Sequence, residues 1–237
     1  MDSNTYYANG ITLMKSYWEI PGPSKSPQSP CIAFNKYDGA NLRFEWSKKR
    51  GWYKFGSRNI LIDHTSEQFG PAIPLFLETL GEPLVEVFKD SKAFRGVDSF
   101  IVYCEYCSAN SFAGWFPKDE PKELVLIDVN PHKKGFVLPR DFVKLFGHLR
   151  SAEVVYEGNF GPEFVQDVRE GKYNLGNVKE GVVAKGIIDG KRSNSVHGLW
   201  MSKVKTKWWL EELKRKASTD AEFRKILLDN IREQSDG

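Results

Sequence analysis

Lys36-Tyr37-Asp38-Gly39 links two runs rich in apolar and aromatic residues, Cys31–Phe34 and Asn41–Trp46. A short connection between buried strands is an odd place for a solvated charge. Asp38-Gly39 favours a sharp turn and lets the backbone approach a ligand closely. A lysine held this way becomes a nucleophile once its amine loses its proton, and neighbouring cations and desolvation lower its pKa toward that state. By itself the tetrapeptide also fits a hairpin turn carrying a solvated lysine, because short motifs recur by chance. Its companions lie downstream: Gly56-Ser57-Arg58-Asn59, Tyr103-Cys104-Glu105, Glu180-Gly181-Val182-Val183-Ala184-Lys185 and Ser202-Lys203-Val204-Lys205. Residues i and i+2 of a strand share a face, so Lys203 and Lys205 present two ammonium groups on one surface. With Lys36 nearby, these cations suit a triphosphate.

Alternating or continuous apolar runs predict the elements that must position these residues. Strands are predicted at Cys31–Phe34, Asn41–Trp46, Gly51–Phe55, Phe100–Cys104, Glu123–Val129, Ala152–Tyr156, Gly181–Ile188 and Leu199–Lys205, the last two as a long-looped hairpin around Asp189-Gly190. Helical spacing runs from Glu67 to Phe94, broken by Gly81 and Pro83, and recurs over Arg140–Leu149 and Glu163–Glu170. After Lys205 come Trp208–Lys216 and a second helix capped by Ser218, Thr219 or Asp220, with Phe223, Ile226, Leu227 and Ile231 as its apolar stripe. Strands and helices mix without regular alternation, which predicts an α+β fold with mostly antiparallel sheet.

The 237 residues suit one domain with a short appendage, expected as 1–206 and 207–237. Hydrophobic residues at 41% and charged residues at 27% exclude global disorder. No apolar run approaches the roughly 20 residues of a membrane span, and Met1–Gly10 lacks the features of a secretory signal. Three cysteines exclude a disulfide framework. A cytoplasmic setting follows as an expectation (the host cytoplasm, if the protein is viral). Net charge +3 permits nucleic-acid binding without requiring it.

The five blocks, in this order and at these spacings, resemble the covalent nucleotidyltransferases: DNA ligases, RNA ligases and mRNA capping enzymes. The resemblance spans about Asn35 to Lys205. Asn41 stands where capping enzymes and DNA ligases usually carry arginine, which is similar to the family of T4 RNA ligase 2 and the RNA-editing ligases; Arg43, two residues on, is a shifted alternative. The resemblance implies an ATP-grasp-like adenylation domain working with ATP and Mg²⁺ or Mn²⁺. Lys36 would attack the α-phosphate and carry the lysyl-AMP, and Asn41 would support catalysis beside the phosphates. Arg58 would contact nucleotide or 5′-phosphate, and Glu105 would hold the ribose hydroxyls. Glu180 would act through the metal, while Lys203 and Lys205 would bind the α-phosphate and assist the leaving pyrophosphate. Mg²⁺ and Lys203 would favour the neutral amine of Lys36.

The sequence departs from this pattern at the purine. The family places an aromatic before an aspartate on one strand, whereas Leu124-Val125-Leu126-Ile127-Asp128-Val129 has none, leaving Trp115, Phe116 or an aliphatic side chain to cover the base. After Lys205 an OB-fold, which needs five strands, does not fit, and Lys207, Lys214, Arg215 and Lys216 become candidates for backbone contacts. Cys104 and Cys107 lack the second pair that zinc requires and are expected to be buried. Trp208-Trp209 is expected to pack in the core rather than stack on bases. Lys48-Lys49-Arg50 is expected to be a solvated hairpin tip.

The reading is an ATP-dependent RNA ligase, monomeric, acting on RNA or an RNA-containing duplex with 5′-phosphate and 3′-hydroxyl ends. A small DNA ligase, a 5′-end adenylyltransferase and a non-catalytic binder of strand ends are the alternatives.

Overall fold

The computed structural model describes residues 7–8, 11–12, 16–108, 111, 113, 116, 120–173, 180–188, 198–225 and 227–228. Two antiparallel sheets carry the site. Eleven strands are described: β1 (Tyr7–Ala8), β2 (Ile11–Thr12), β3 (Pro30–Lys36), β4 (Ala40–Ser47), β5 (Gly51–Gly56), β6 (Leu61–Ile62), β7 (Ser99–Cys107), β8 (Glu123–Pro131), β9 (Val154–Asn159), β10 (Gly181–Ile187) and β11 (Leu199–Lys205). One sheet runs β6-β5-β4-β7-β8 and the other β11-β10-β3-β9, while β1 and β2 pair separately. The connection from Lys36 to Ala40 is therefore where the chain passes from one sheet to the other.

Alternation along β4 shows how the first sheet is built. Leu42, Phe44 and Trp46 are buried on one face, against α1 (Ala72–Phe76) and α2 (Glu82–Asp90). Phe44 stacks on Phe76 with ring centroids 3.7 Å apart. Asn41, Arg43 and Glu45 occupy the opposite face, as a period of two requires. The predicted break near Gly81 and Pro83 is present as a wide π-turn over Leu77–Gly81 joining α1 to α2. Proline near the start of α2 forgoes an N–H that has no intrahelical partner there.

In the second sheet, Cys31 and Ala33 of β3 and Val182 and Ala184 of β10 pack on Phe164, Val165 and Val168 of α4 (Pro162–Arg169). Ile32 and Phe34 point the other way, into the main core beside Phe142 and Phe146 of α3 (Pro139–Phe146). Tyr17, Tyr103, Phe136, Leu199 and Met201 form a third cluster between elements of the two sheets.

The last described helix is α5 (Lys207–Thr219), capped by Thr206, whose hydroxyl accepts the Trp209 N–H at 3.1 Å. Helical turns resume after Asp220, whose carboxylate accepts the Phe223 N–H at 2.9 Å, so Asp220 is the cap among the three candidates. Ile226, Ile231 and the Asp189-Gly190 turn lie outside the described residues. No helix among the described residues is long and apolar enough to cross a membrane.

Candidate active site

Strand register assembles the basic half of the site. Gly181 pairs with Lys36 on one side and with Lys205 on the other, so the three form one row across β3, β10 and β11. Glycine is required in the middle of that row. Its φ is +150°, and an added Cβ would lie 2.0 Å from the Val204 carbonyl oxygen. The preceding residue, Glu180, turns a buried carboxylate between the two lysines. Its Oε1 lies 3.0 Å from Lys36 Nζ and 3.1 Å from Lys205 Nζ. Its carbonyl accepts the Thr206 N–H at 3.0 Å, which ties the end of β11 to the start of β10. Two rows on, Lys203 pairs with Val183. Burial, Lys205, Lys36 and Arg58 all push the Lys203 ammonium below its ordinary range, with Glu19 opposing. Four cations thus share one field, which favours a polyanionic ligand.

The other sheet supplies the second half. Asn41 and Glu105 are direct partners across β4 and β7, so their side chains stand together. Gly39 makes the approach possible, since a Cβ there would meet the Tyr106 carbonyl oxygen at 2.6 Å and Glu105 Cγ at 2.8 Å. Burial raises the Glu105 carboxyl to about 7; Lys36 opposes this, and the charges of Glu180 and Asp38 add to it. Burial and Glu180 likewise raise Asp38, while the Ala113 N–H stabilises its carboxylate from 3.3 Å.

These carboxylates change the expectation for Lys36. Burial pulls its ammonium pKa down, but Glu180, Glu105 and Asp38 together outweigh burial and leave it above the ordinary lysine value. These charges favour the ammonium form, which is paired with Glu180. Lys203 is expected, together with Mg²⁺, to favour the neutral form; the charges of Glu180, Glu105 and Asp38 act the other way.

Arg58 follows β5 as an exposed residue in a turn that Ser57 closes by donating its N–H to the Ile60 carbonyl at 2.9 Å. Arg43, the shifted alternative to an arginine in the lysine block, is buried at 1% exposure and pairs with Glu45 at 3.3 Å. The structure therefore brings Lys36, Asn41, Glu105, Glu180, Lys203 and Lys205 together from two sheets, with Arg58 close enough to act on Lys203.

Several other expectations are resolved. Cys104 and Cys107 are buried in β7. Lys48, Lys49 and Arg50 form an exposed tip. Trp209 is core, but Trp208 is 44% exposed, a correction to the pair. Phe116 packs against the main core, and Trp115 lies outside the described residues. Among the cations expected to make nucleic-acid backbone contacts, Lys216 is already engaged with the Ala113 carbonyl at 2.6 Å, and Arg215 with Glu212.

The sequence reading missed one group. Lys185 is buried on β10 and donates to Asp128 at 2.7 Å and to the Ile127 carbonyl at 2.8 Å. Tyr17 donates to the same Asp128 oxygen. This pair bolts β10 to β8, one strand from each sheet. A charged residue at an inward position of an apolar strand was the available signal, since Gly181, Val183 and Lys185 share one face.

No protein-family model and no curated protein sequence matches the chain. Solved structures do. An RNA ligase variant of Naegleria gruberi with AMP and manganese superposes with a TM-score of 0.59 at 13% identity, covering 87% of this chain and 59% of that one. A second variant of that ligase, with ATP and manganese, gives 0.56 at 13% identity over 88% of this chain and 60% of that one. A protein of Aquifex aeolicus described as an ATP-dependent DNA ligase gives 0.56 at 15% identity, over 98% and 69%. This chain has the fold of these ligases. It spans about 60% of the length of the Naegleria ligase structures.

Proposed function

We propose that the protein is an ATP-dependent polynucleotide ligase, acting on RNA, whose described residues form the adenylation domain. The observation that carries the reading is the row Lys36–Gly181–Lys205 with Glu180 bridging its two lysines. In this reading Lys36 is the nucleophile, Glu180 the carboxylate that holds it in place, and Lys205 the phosphate-binding cation, and the row supports it by bringing the three side chains to one spot. The shared fold with RNA and DNA ligases supports it.

Phosphoryl transfer rests on positioning and charge neutralisation. The Lys36 ammonium first gives up one proton to solvent; its neutral Nζ then attacks the α-phosphate of ATP, forming a P–N bond as the P–O bond to pyrophosphate breaks, and the second proton leaves to solvent. Lys203 and Lys205 hold the phosphates in line and offset the charge that grows on the leaving group. Glu105, beside Asn41, suits the ribose hydroxyls, and Arg58 suits the nucleotide or a 5′-phosphate. AMP then passes to a 5′-phosphate, and a 3′-hydroxyl displaces it to seal the strand.

A divalent cation fits the donor chemistry but not as a protein-built cage. Among the described residues no group of three or more Asp, Glu, His or Cys side chains is arranged to hold one. Mg²⁺ commonly takes one or two carboxylates and completes its shell with water and substrate phosphates, and Glu180 suits that role, with Mn²⁺ an equivalent. Such an ion supplies charge neutralisation at the phosphates.

The preference for RNA rests on Asn41 in the lysine block. The test offers the protein ATP, Mg²⁺ and nicked duplexes with RNA or DNA on each side of the break. Sealing of nicks with an RNA 3′-hydroxyl, well above all-DNA nicks, is the expected result; equal or better sealing of DNA overturns the RNA assignment. The division into 1–206 and 207–237, action as a monomer and a cytoplasmic setting belong to the same proposal.

A further inference from the structure

Helix α5 carries a lysine on its buried side. Trp209, Leu213 and Ala217 form its buried stripe, and Lys216 falls on the same side, three residues past Leu213. An ammonium brought against an apolar surface must find acceptors. Lys216 Nζ donates to the Ala113 carbonyl at 2.6 Å and lies 4.4 Å from the centre of the Phe223 ring.

Ala113 is fully buried against the same helix, in a cluster with Trp209, Leu213, Ala217 and Phe223. Its N–H faces the carboxylate of Asp38, with both oxygens at 3.3 Å. Ala113 is thus held on one side by a cation from α5 while it steadies, on the other, an anion two residues from Lys36. Asp38 shares its surroundings with Glu180, whose charge opposes its ionised form. A fixed N–H donor offsets that repulsion only if its backbone is itself fixed.

We infer that Lys216 is a positioning residue for the Lys36 block, acting through the backbone of Ala113 on Asp38. The inference rests on the reading of Lys36 as the adenylated residue. It gives α5 a part in adenylation, where the sequence had suggested a contact to nucleic acid for Lys216. It also explains why the helix presents a lysine at a position facing the core.

The experiment compares wild type, Lys216→Met, Lys216→Arg, Asp38→Ala and the Asp38→Ala/Lys216→Met double variant. Hydrogen exchange at the Ala113 amide is read by NMR without ATP, beside single-turnover lysyl-AMP formation at saturating ATP and melting temperature. Lys216→Met should speed Ala113 exchange by about tenfold or more while amides of β4 stay protected. It should slow labelling by roughly tenfold, in keeping with a small misplacement of reacting groups. Lys216→Arg should restore both. The double variant should label no more slowly than Asp38→Ala alone, because the two act in series. Unchanged Ala113 protection in Lys216→Met, or additive losses in the double variant, overturns the inference. Should Lys216→Met fail to fold, Lys216→Gln, which shortens the donor, takes its place under the same criteria. The exchange measurement decides the Lys216–Ala113–Asp38 link even if wild type forms no lysyl-AMP, an outcome that overturns the ligase reading instead.

Discussion

Lys36 and Lys205 share one acceptor, Oε1 of Glu180, at 3.0 and 3.1 Å. The proposed nucleophile and its proposed phosphate-binding partner are thus held by a single buried carboxylate. Glu180→Ala leaves two ammonium groups facing each other without their common anion. Lys205→Ala leaves the phosphates without a positioned cation. Each should slow lysyl-AMP formation by about 10²–10³-fold, measured as a single-turnover rate at saturating ATP and Mg²⁺. Near-normal rates in either variant contradict the roles given to this row.

Glu105 should leave a mark on the pH dependence of stability. Its carboxyl is raised to about 7, first by burial. Between the ordinary carboxylate range and about 7, the folded protein therefore binds more protons than the unfolded chain. Stability falls as pH rises through that window and is highest below it. Glu105→Gln removes this contribution. Its melting temperature relative to wild type should increase from about pH 5 to about pH 8, as scanning calorimetry would read; a flat difference contradicts the shift.

The bolt between sheets should matter for stability. Lys185 and Asp128 are 4% and 1% exposed and lie 2.7 Å apart. Removing one partner strands a buried charge, so Lys185→Met should cost about 3–5 kcal/mol. Replacing both, as Lys185→Met/Asp128→Leu, should recover a large part of that. Urea unfolding of the three proteins checks the order.

Much of this arrangement was legible in the residues. The β4 alternation, the break near Gly81 and Pro83, and the pairing of Lys203 with Lys205 on one face all follow from local periodicity and backbone chemistry. Boundaries shifted by a few residues where pairing extended a strand, as in β7, predicted at Phe100–Cys104 and found at Ser99–Cys107. What escaped was set by register and by contacts far apart in sequence. Nothing local says that Gly181 sits between Lys36 and Lys205, or that Tyr17, Asp128 and Lys185 converge. The carboxylates that favour the ammonium form of Lys36 escaped for the same reason. Cations near it were visible as a motif, whereas Asp38, Glu105 and Glu180 act on it only once the two sheets meet.

The tail should be structural rather than a detachable grip. Phe223 is 5% exposed in the cluster that holds Ala113, and Arg224 donates to the Ala217 and Ser218 carbonyls at 2.6 and 2.9 Å. Truncation before Ser218 should lower the melting temperature and impair labelling and nick sealing alike. A well-folded truncated protein that labels normally but no longer seals would contradict this and place the nucleic-acid contact in the tail.

The central claim is covalent adenylation of Lys36. Incubation with α-labelled ATP and Mg²⁺, followed by denaturing electrophoresis and peptide mapping, tests it directly. The account predicts acid-labile AMP on the peptide containing Lys36, released by pyrophosphate, and no label in Lys36→Ala. Label that persists in Lys36→Ala at another residue, or a folded wild type that takes no label, would contradict it.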